Sequence, residues 1–207
     1  MIRQVILIFA GKYKWIAIRI AVFFISLLPV VLLVVKIIAN ELGPDPAKTL
    51  ATETGSWALR FLLLSLTVTP FRELTGWARA AVLRRMLGLF AWFYASLHFF
   101  VYLMFLLQWR WSEILGDIIE RPYITVGFLA FLILTALGMT SNRPLMKMLG
   151  RNWKRLHRLV YLAAILALIH LTWILRTDLT DAVFYGSILV LLLGYRIFRM
   201  ARLRYLV

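Results

Sequence analysis

The stretch MLGLFAWFYASLHFFVYLMFLL, residues Met86–Leu107, decides the fold of this chain. It contains no Asp, Glu, Lys or Arg, and at about 1.5 Å per residue a helix of this length crosses the roughly 30 Å core of a bilayer. Its apolar residues run continuously instead of alternating, which excludes a strand of a transmembrane barrel. The stretch therefore predicts a membrane-spanning helix, and His98 is an ionisable group inside it.

Two more apolar runs precede this stretch and three follow it, so the sequence predicts an all-α integral membrane protein, a six-helix transmembrane bundle. Hydrophobic residues make up 63% of the 207 positions, and the mean hydropathy is +0.86. A soluble domain could not cover that much apolar surface, which excludes a soluble enzyme, a nucleic-acid-binding domain and a disordered tail. The other predicted spans are Ile16–Ile38, Trp57–Phe71, Pro122–Ser141, Leu159–Leu175 and Ala182–Tyr195.

The segments between the spans are short, so the chain has no room for a separate globular domain. We expect a cytoplasmic N-terminal segment at residues 1–15, a transmembrane domain at residues 16–198 and a basic cytoplasmic tail at residues 199–207. The sequence contains no Cys, which excludes disulfides, thiolate metal sites and iron–sulfur clusters.

Charge alternates across the spans and predicts their orientation. Most of the 24 Lys and Arg residues lie in the N-terminus, in the segments after the second and fourth spans, and in the C-terminus. All of the nine acidic residues except Glu73 lie in the other segments. Because Lys and Arg collect on the cytoplasmic side, we expect both termini in the cytoplasm. The basic face orients the protein and contacts anionic lipid, or it binds a cytoplasmic partner.

Two of the three histidines lie at the same depth in the predicted bundle. His98 and His170 each follow an Arg at the cytoplasmic edge of their span, Arg85 and Arg158, by roughly 18–20 Å of helix. Two imidazoles that face each other suit the axial positions of a b-type haem. The alternatives are two structural histidines bonded to neighbouring helices, or a zinc site, which lacks nearby Cys and carboxylate ligands.

His157 lies at the cytoplasmic edge, 13 residues before His170 and about 20 Å away along a helix axis. That offset suits a second haem, but on an ideal helix the two rings point about 140° apart. An interfacial histidine bonded to water or lipid headgroups is the alternative. Haem propionates need cationic partners. The candidates are Arg84, Arg85, Arg155 and Arg158 on the cytoplasmic side and Arg60, Arg110, Arg121 and Arg176 on the other. Each is also explained as a topology residue.

Six ordered segments resemble one family of bacterial membrane proteins. The chain is similar to MsrQ (also called YedZ), the haem-binding membrane subunits of periplasmic methionine sulfoxide reductase systems, within the wider ferric-reductase-like transmembrane group. The resemblance covers about residues 42–198. The segments are LGPDPAK (Leu42–Lys48), TGSWALRFLLLSLTVTPF (Thr54–Phe71), RRMLGL (Arg84–Leu89), SLH (Ser96–His98), RPYITVG (Arg121–Gly127) and LGRNWKRLHRLVYL (Leu149–Leu162).

The resemblance implies an electron-transfer subunit of the bacterial inner membrane that makes and breaks no bonds itself. It implies b-type haem, one or two per chain, with His98, His157 and His170 at the family's histidine positions, and an association with FMN. Electrons would come from the quinone pool or a cytoplasmic flavin reductase. They would pass to a periplasmic molybdopterin methionine sulfoxide reductase, MsrP-like, that repairs oxidised periplasmic proteins.

One departure from the wider group concerns the third span, where ferric reductases and NADPH oxidases carry two histidines. Fourteen residues before and after His98 this chain has Arg84 and Ser112. A second bis-histidine haem therefore cannot form between the same helices. His157 would bind a haem with a different second ligand, or it would position a haem or flavin.

Two other classes of function are compatible with the residue pattern alone. A small transporter is one, although the third to fifth spans hold no acidic residue and no broken pair of half-helices. An anchoring or assembly protein with structural histidines is the other. On the electron-transfer hypothesis, acidic residues on the outer face would attract a basic patch on the periplasmic partner. They are Glu41, Asp45, Glu53, Glu113, Asp117 and Glu120, and neutralising Glu113, Asp117 and Glu120 tests the idea.

Overall fold

The computed structural model describes residues 2–175 and 178–205, with side chains described for all of these except residues 2–12, 115 and 203–205. Within that part of the chain every regular element is helical. The elements are α1 (Ile2–Ile38), α2 (Pro46–Thr75), α3 (Ala80–Val101) with a π-helical turn (Tyr102–Leu106), α4 (Trp111–Glu120), α5 (Pro122–Met139), α6 (Arg143–Leu149), α7 (Arg151–Leu156) with a 3₁₀ turn (His157–Leu159), α8 (Val160–Ile174) and α9 (Thr180–Tyr205).

The chain divides into two compact units, Met1–Pro46 and Ala47–Val207. The first unit is α1 and the segment that follows it. Helix α1 continues through Pro29 and ends at a turn in which Asn40 has φ +56°. Asn tolerates this left-handed conformation because its short side chain can bond to the local backbone.

The second unit contains all three histidines, and α2 supplies much of its core. Phe61, Leu62 and Leu63 of α2 are buried, as are Ala91 and Tyr94 of α3. Helix α8 packs along α5, and its Ala163 and Ala164 are fully buried. Small side chains at such a contact let two helix backbones approach closely, which is how helices associate in a bilayer.

Large apolar side chains also cover the outside of this unit. Leu129 and Leu132 of α5 and Val190 and Leu191 of α9 are exposed, as is Phe93 of α3. A soluble protein does not leave apolar surface of this extent open to water. The chain is therefore a multi-pass membrane protein.

Among the residues that the structure describes, five helical segments are long and apolar enough to cross a bilayer: Tyr13–Ile38, Ala80–Leu106, Pro122–Met139, Arg151–Ile174 and Thr180–Arg202. They correspond to five of the six predicted spans. The other, Trp57–Phe71, lies inside α2, which does not reach the same apolarity because Arg60 and several hydroxyl side chains interrupt it. These polar groups are tolerated since α2 is largely buried against protein. The count of six spans and the cytoplasmic position of both termini stay predictions.

Candidate functional site

His98 of α3 and His170 of α8 meet inside the second unit. Their ring centroids lie 6.1 Å apart, and the ring planes are inclined by 79°. Both residues lie near the C-terminal ends of their helices. We call the end of the second unit that holds this pair the histidine end.

Each of the two imidazoles is held by a backbone carbonyl of another helix. His98 Nδ1 lies 2.8 Å from the Ala51 carbonyl oxygen of α2, and His170 Nδ1 lies 2.6 Å from the Tyr123 carbonyl oxygen of α5. A carbonyl oxygen only accepts, so each Nδ1 carries the hydrogen and donates it. Each Nε2 is then the basic nitrogen. In metal sites, a hydrogen bond from the other ring nitrogen to a carbonyl orients a histidine ligand in this way.

A glycine lies one helical turn after each of these carbonyls. A Cβ added to Gly55 of α2 would come within 3.0 Å of His98 Nδ1, and one added to Gly127 of α5 would come within 2.6 Å of His170 Nδ1. Any larger residue would push the ring away from its carbonyl. Both glycines are therefore required by close approach of an imidazole to a helix backbone.

The separation of the two rings fits a metal held between them. Two metal–nitrogen bonds of about 2 Å, plus roughly 1 Å from each nitrogen to its ring centre, add up to about 6 Å. The centroid separation is 6.1 Å. The described residues contain no group of three or more His, Asp or Glu side chains that could bind a metal ion. Two axial nitrogens suit a haem, whose porphyrin supplies the other four, better than they suit zinc.

Aromatic side chains line α3 on both sides of His98. Tyr94 stacks on Phe61 of α2 at 5.2 Å, and Phe99 stacks on Phe131 of α5 at 4.7 Å. Arg60 already has partners on this face of α2. Its Nε donates to the Tyr185 hydroxyl at 2.8 Å, and its guanidinium lies 4.6 Å from the Trp57 ring centroid. Arg176, another of the propionate candidates, lies outside the described residues.

His157 does not join the pair, because it lies at the opposite end of α8, about 20 Å along the helix axis. Its Nε2 lies 3.2 Å from the Thr140 hydroxyl, and its ring stacks on Trp153 at 4.1 Å. Trp153 in turn donates from Nε1 to the Thr140 carbonyl at 3.0 Å. The 3₁₀ turn at His157–Leu159 interrupts the helix, so the phase difference expected for one ideal helix does not apply.

A cavity of about 590 Å³ opens beside His157, and we call this part of the second unit the basic end. Arg84 and Arg85 line it, so the structure brings them together with His157 and not with the His98–His170 pair. The Tyr161 hydroxyl is buried near the cavity with no hydrogen-bond partner among the described residues. The other cationic side chains that line the cavity are Arg72, Lys154, Arg158, Arg196 and Arg199.

Some cations of the basic end are already engaged. Glu73 is the acid nearest to them, with Arg199 at 3.0 Å and Arg72 at 3.8 Å, and it accepts a hydrogen bond from Tyr195 at 2.9 Å. Arg196 lies over the Tyr161 ring at 4.4 Å. One carboxylate does not balance this many cations, so the lining of the cavity carries net positive charge.

Comparison with known proteins agrees with this architecture. The family described as "Ferric reductase like transmembrane component" matches residues 54–168, more than half of the chain. The heme-binding subunit MsrQ of a protein-methionine-sulfoxide reductase from Xanthomonas euvesicatoria pv. vesicatoria (strain 85-10) is 47% identical over 161 residues, covering 78% of this chain and 74% of the relative. The chain belongs to the MsrQ family.

Two further MsrQ proteins are similarly close. The one from Xanthomonas campestris pv. campestris (strain 8004) is 47% identical over the same shares of both chains. The one from Xanthomonas oryzae pv. oryzae (strain MAFF 311018) is 46% identical over 158 residues, 76% of this chain and 72% of the relative. No solved structure matches the chain significantly. The ferric-reductase match includes His98 and His157 and stops two residues before His170.

Sequence reasoning singled out the histidines of this MsrQ chain but not the groups that hold them. Ala51 and Tyr123 act through their backbone carbonyls. Every residue has such a carbonyl, so residue identity does not indicate this role. Gly55 and Gly127 gave a usable signal, because glycine inside an apolar helix indicates close approach of another group. Both lie in segments that carried the family resemblance.

Proposed function

We propose that this chain is a b-type cytochrome, the electron-transfer subunit of a methionine sulfoxide reductase system in the bacterial inner membrane. The observation that carries the proposal is the His98–His170 pair, in which both Nδ1 atoms bond to backbone carbonyls and the ring centroids lie 6.1 Å apart. Its MsrQ relatives are named as heme-binding subunits. Haem bound there would supply a one-electron carrier in a low-dielectric site.

The protein's own contribution at the pair is orientation. The Ala51 and Tyr123 carbonyls keep the hydrogens on Nδ1, so that both Nε2 atoms are free to bind iron. Hydrogen bonding at Nδ1 also makes each imidazole a stronger donor, which favours the oxidised iron. Buried aromatic side chains such as Tyr94 exclude water from this part of the unit.

We place the histidine end on the periplasmic side and the basic end in the cytoplasm. The cavity at the basic end gathers Arg72, Arg84, Arg158 and Arg199, which come from three separate basic segments of the sequence. Cationic side chains concentrated at one end of a helical bundle favour the cytoplasmic side. With this orientation, we propose six spans with both termini in the cytoplasm.

The basic end is the proposed entry point for electrons from the quinone pool or a cytoplasmic flavin reductase. Its cavity suits a second redox group with anionic substituents, either a haem with His157 as one axial ligand or FMN. Arg84 and Arg85 would bind propionates or a phosphate, and Trp153, stacked on His157, would support a planar ring. The proposed acceptor is an MsrP-like periplasmic molybdopterin methionine sulfoxide reductase.

An absorption spectrum of the detergent-purified protein tests the proposal, taken oxidised and dithionite-reduced together with a haem-per-chain assay. We expect a reduced b-type spectrum, and both His98→Ala and His170→Ala should lose the haem of the His98–His170 pair, which the haem-per-chain assay counts separately from any haem at His157. His157→Ala is the matched control and should keep the haem of the His98–His170 pair. Colourless protein after haem-replete expression would contradict the proposal.

The acceptor is tested separately with reduced protein. Adding a catalytic amount of the periplasmic subunit with excess methionine sulfoxide should reoxidise it completely under anaerobic conditions. Methionine sulfoxide alone should not reoxidise it, and the subunit alone should remove only the few electrons that its own molybdenum centre can accept. Full haem content without this reoxidation would contradict the acceptor while leaving the cytochrome assignment intact.

A further inference from the structure

Three side chains at the histidine end connect the two histidine ligands to each other. The first is Tyr102, which lies one turn after His98 and opens the π-helical turn. The backbone N–H of Tyr102 bonds to the carbonyls of His98 and Phe99. A shift of Tyr102 is therefore passed directly to the backbone of His98. Single π turns occur frequently at functional sites, where they re-aim side chains.

The second side chain is Asp117 of α4, whose two carboxylate oxygens have different partners. Its Oδ2 accepts from the Tyr102 hydroxyl at 2.6 Å, and its Oδ1 lies 2.9 Å from Arg121 Nε. The Asp117 side chain is only 11% exposed, unlike the 56% of Arg121. Charge-assisted bonds to a shielded carboxylate are stronger than those on an open surface.

The third side chain is Arg121, the residue that precedes the first turn of α5. Two residues later Tyr123 offers the carbonyl that holds His170. Thr125, also in the first turn, donates to the Ile118 carbonyl of α4. A side-chain hydrogen bond with Tyr123, followed by the charge of Asp117, raises the pKa of Arg121, which therefore keeps its positive charge.

We propose that Tyr102, Asp117 and Arg121 form a clamp that sets the mutual orientation of the His98 and His170 rings. This rests on the proposed function, in which both rings bind one haem. The clamp joins the segment after His98 to the start of the helix whose carbonyl holds His170. The three are positioning residues, since they act through the histidines and their backbone.

The clamp controls a quantity that spectroscopy reads directly, the angle between the two imidazole planes, which is 79° here. Nearly perpendicular axial imidazoles give a strongly anisotropic low-spin ferric EPR signal, whereas parallel planes give a rhombic one. Loosening the clamp lets the planes rotate. Losing a group that orients a metal ligand also weakens metal affinity by about 10–100-fold. In this protein we would observe that as faster loss of haem.

The test uses the full-length, haem-loaded protein with Tyr102→Phe as the mild variant and Asp117→Asn as the stronger one. We expect the anisotropic EPR signal to move towards a rhombic one in both. Transfer of haem to apomyoglobin should be about tenfold faster in Asp117→Asn and less accelerated in Tyr102→Phe. Glu113→Gln, on the same helix but in an exposed pair with Arg110, is the matched control and should change neither readout.

Wild-type EPR signals in both clamp variants would overturn the proposal, even if haem were lost faster, because general loosening would explain the faster loss. If Asp117→Asn protein fails to fold, Tyr102→Phe alone decides between the outcomes, because it retains the ring and removes only one hydrogen bond. Failure of the proposed function looks different: wild-type protein would then lack the bis-histidine EPR signal altogether.

Discussion

His98 and His170 each donate to a backbone carbonyl that lies 47 residues earlier in the chain, Ala51 for the first and Tyr123 for the second. In both cases a glycine follows the carbonyl by one turn and leaves room for the imidazole. The same arrangement of histidine, carbonyl and glycine therefore occurs twice, once between α2 and α3 and once between α5 and α8. It fixes the orientation of both rings and leaves both Nε2 atoms without a hydrogen.

The glycine that packs against His170 is expected to be the more sensitive of the two. Gly127→Ala would place a Cβ 2.6 Å from His170 Nδ1, whereas Gly55→Ala would place one 3.0 Å from His98 Nδ1. We expect haem affinity to fall about 10–100-fold in Gly127→Ala and by less in Gly55→Ala. The relative haem affinities are measured as the amount of haem per chain that each variant retains over a dilution series. Gly194→Ala, which has open space around it, is the control, and equal haem retention in all three variants would contradict the prediction.

The cations at the basic end are expected to bind the anionic group of a ligand. Replacing both Arg84 and Arg85 by Gln should weaken the binding of added FMN about tenfold, because charged hydrogen bonds each contribute about 1.5–3 kcal/mol when shielded and less when exposed. Flavin fluorescence quenching measures the affinity. Arg151→Gln is the control. It also removes a positive charge from a basic segment, but Arg151 does not line the cavity, so FMN affinity should change little. Equal FMN affinity in the wild type and the double variant would exclude these two residues from the site.

Glu73 is expected to hold the C-terminal end of α2 to α9. Its side chain is 19% exposed, lies 3.0 Å from Arg199 and accepts from Tyr195. Glu73→Gln should lower the free energy of unfolding by about 2 kcal/mol, since the ion pair is lost in a shielded place. Denaturant titration of the protein in detergent micelles measures the change.

The control for Glu73→Gln is Glu113→Gln, which breaks an ion pair between side chains that are 50% and 54% exposed. Exposed pairs contribute little, so this variant should stay within about 0.5 kcal/mol of the wild type. Equal destabilisation of the two variants would contradict a specific role for Glu73.

Acidic side chains at the histidine end are expected to speed encounter with a periplasmic partner. The structure alters the set proposed from the sequence, because Asp117 is shielded and engaged by Tyr102 and Arg121. Glu113 and Glu120 are exposed. Neutralising both to Gln should slow reoxidation by the partner severalfold at low ionic strength and have no effect at high salt. An equal slowing at high salt would point to direct contact instead of steering.

Much of the architecture was predictable from the sequence because a bilayer permits few solutions. An uncharged run such as Met86–Leu107 must form a helix, since every backbone polar group has to be bonded within the segment. The rise per residue then brought His98 and His170 to one depth without any tertiary information. The least certain prediction concerned the span inside α2, because this helix is distinguished by its burial in the structure more than by its hydropathy.

What the sequence by itself determined was the helical membrane class, the approximate bounds of five spans and the level of each histidine, because these depend on hydropathy and helix rise, which are properties of one segment. The tertiary structure alone decided which nitrogen of His98 and His170 bonds to a carbonyl, and which carbonyl it is. It also decided that Asp117 is shielded and bonded to Tyr102 and Arg121 instead of lying on an open surface. Those outcomes depend on how separate helices pack, and a carbonyl oxygen has the same chemistry at every residue.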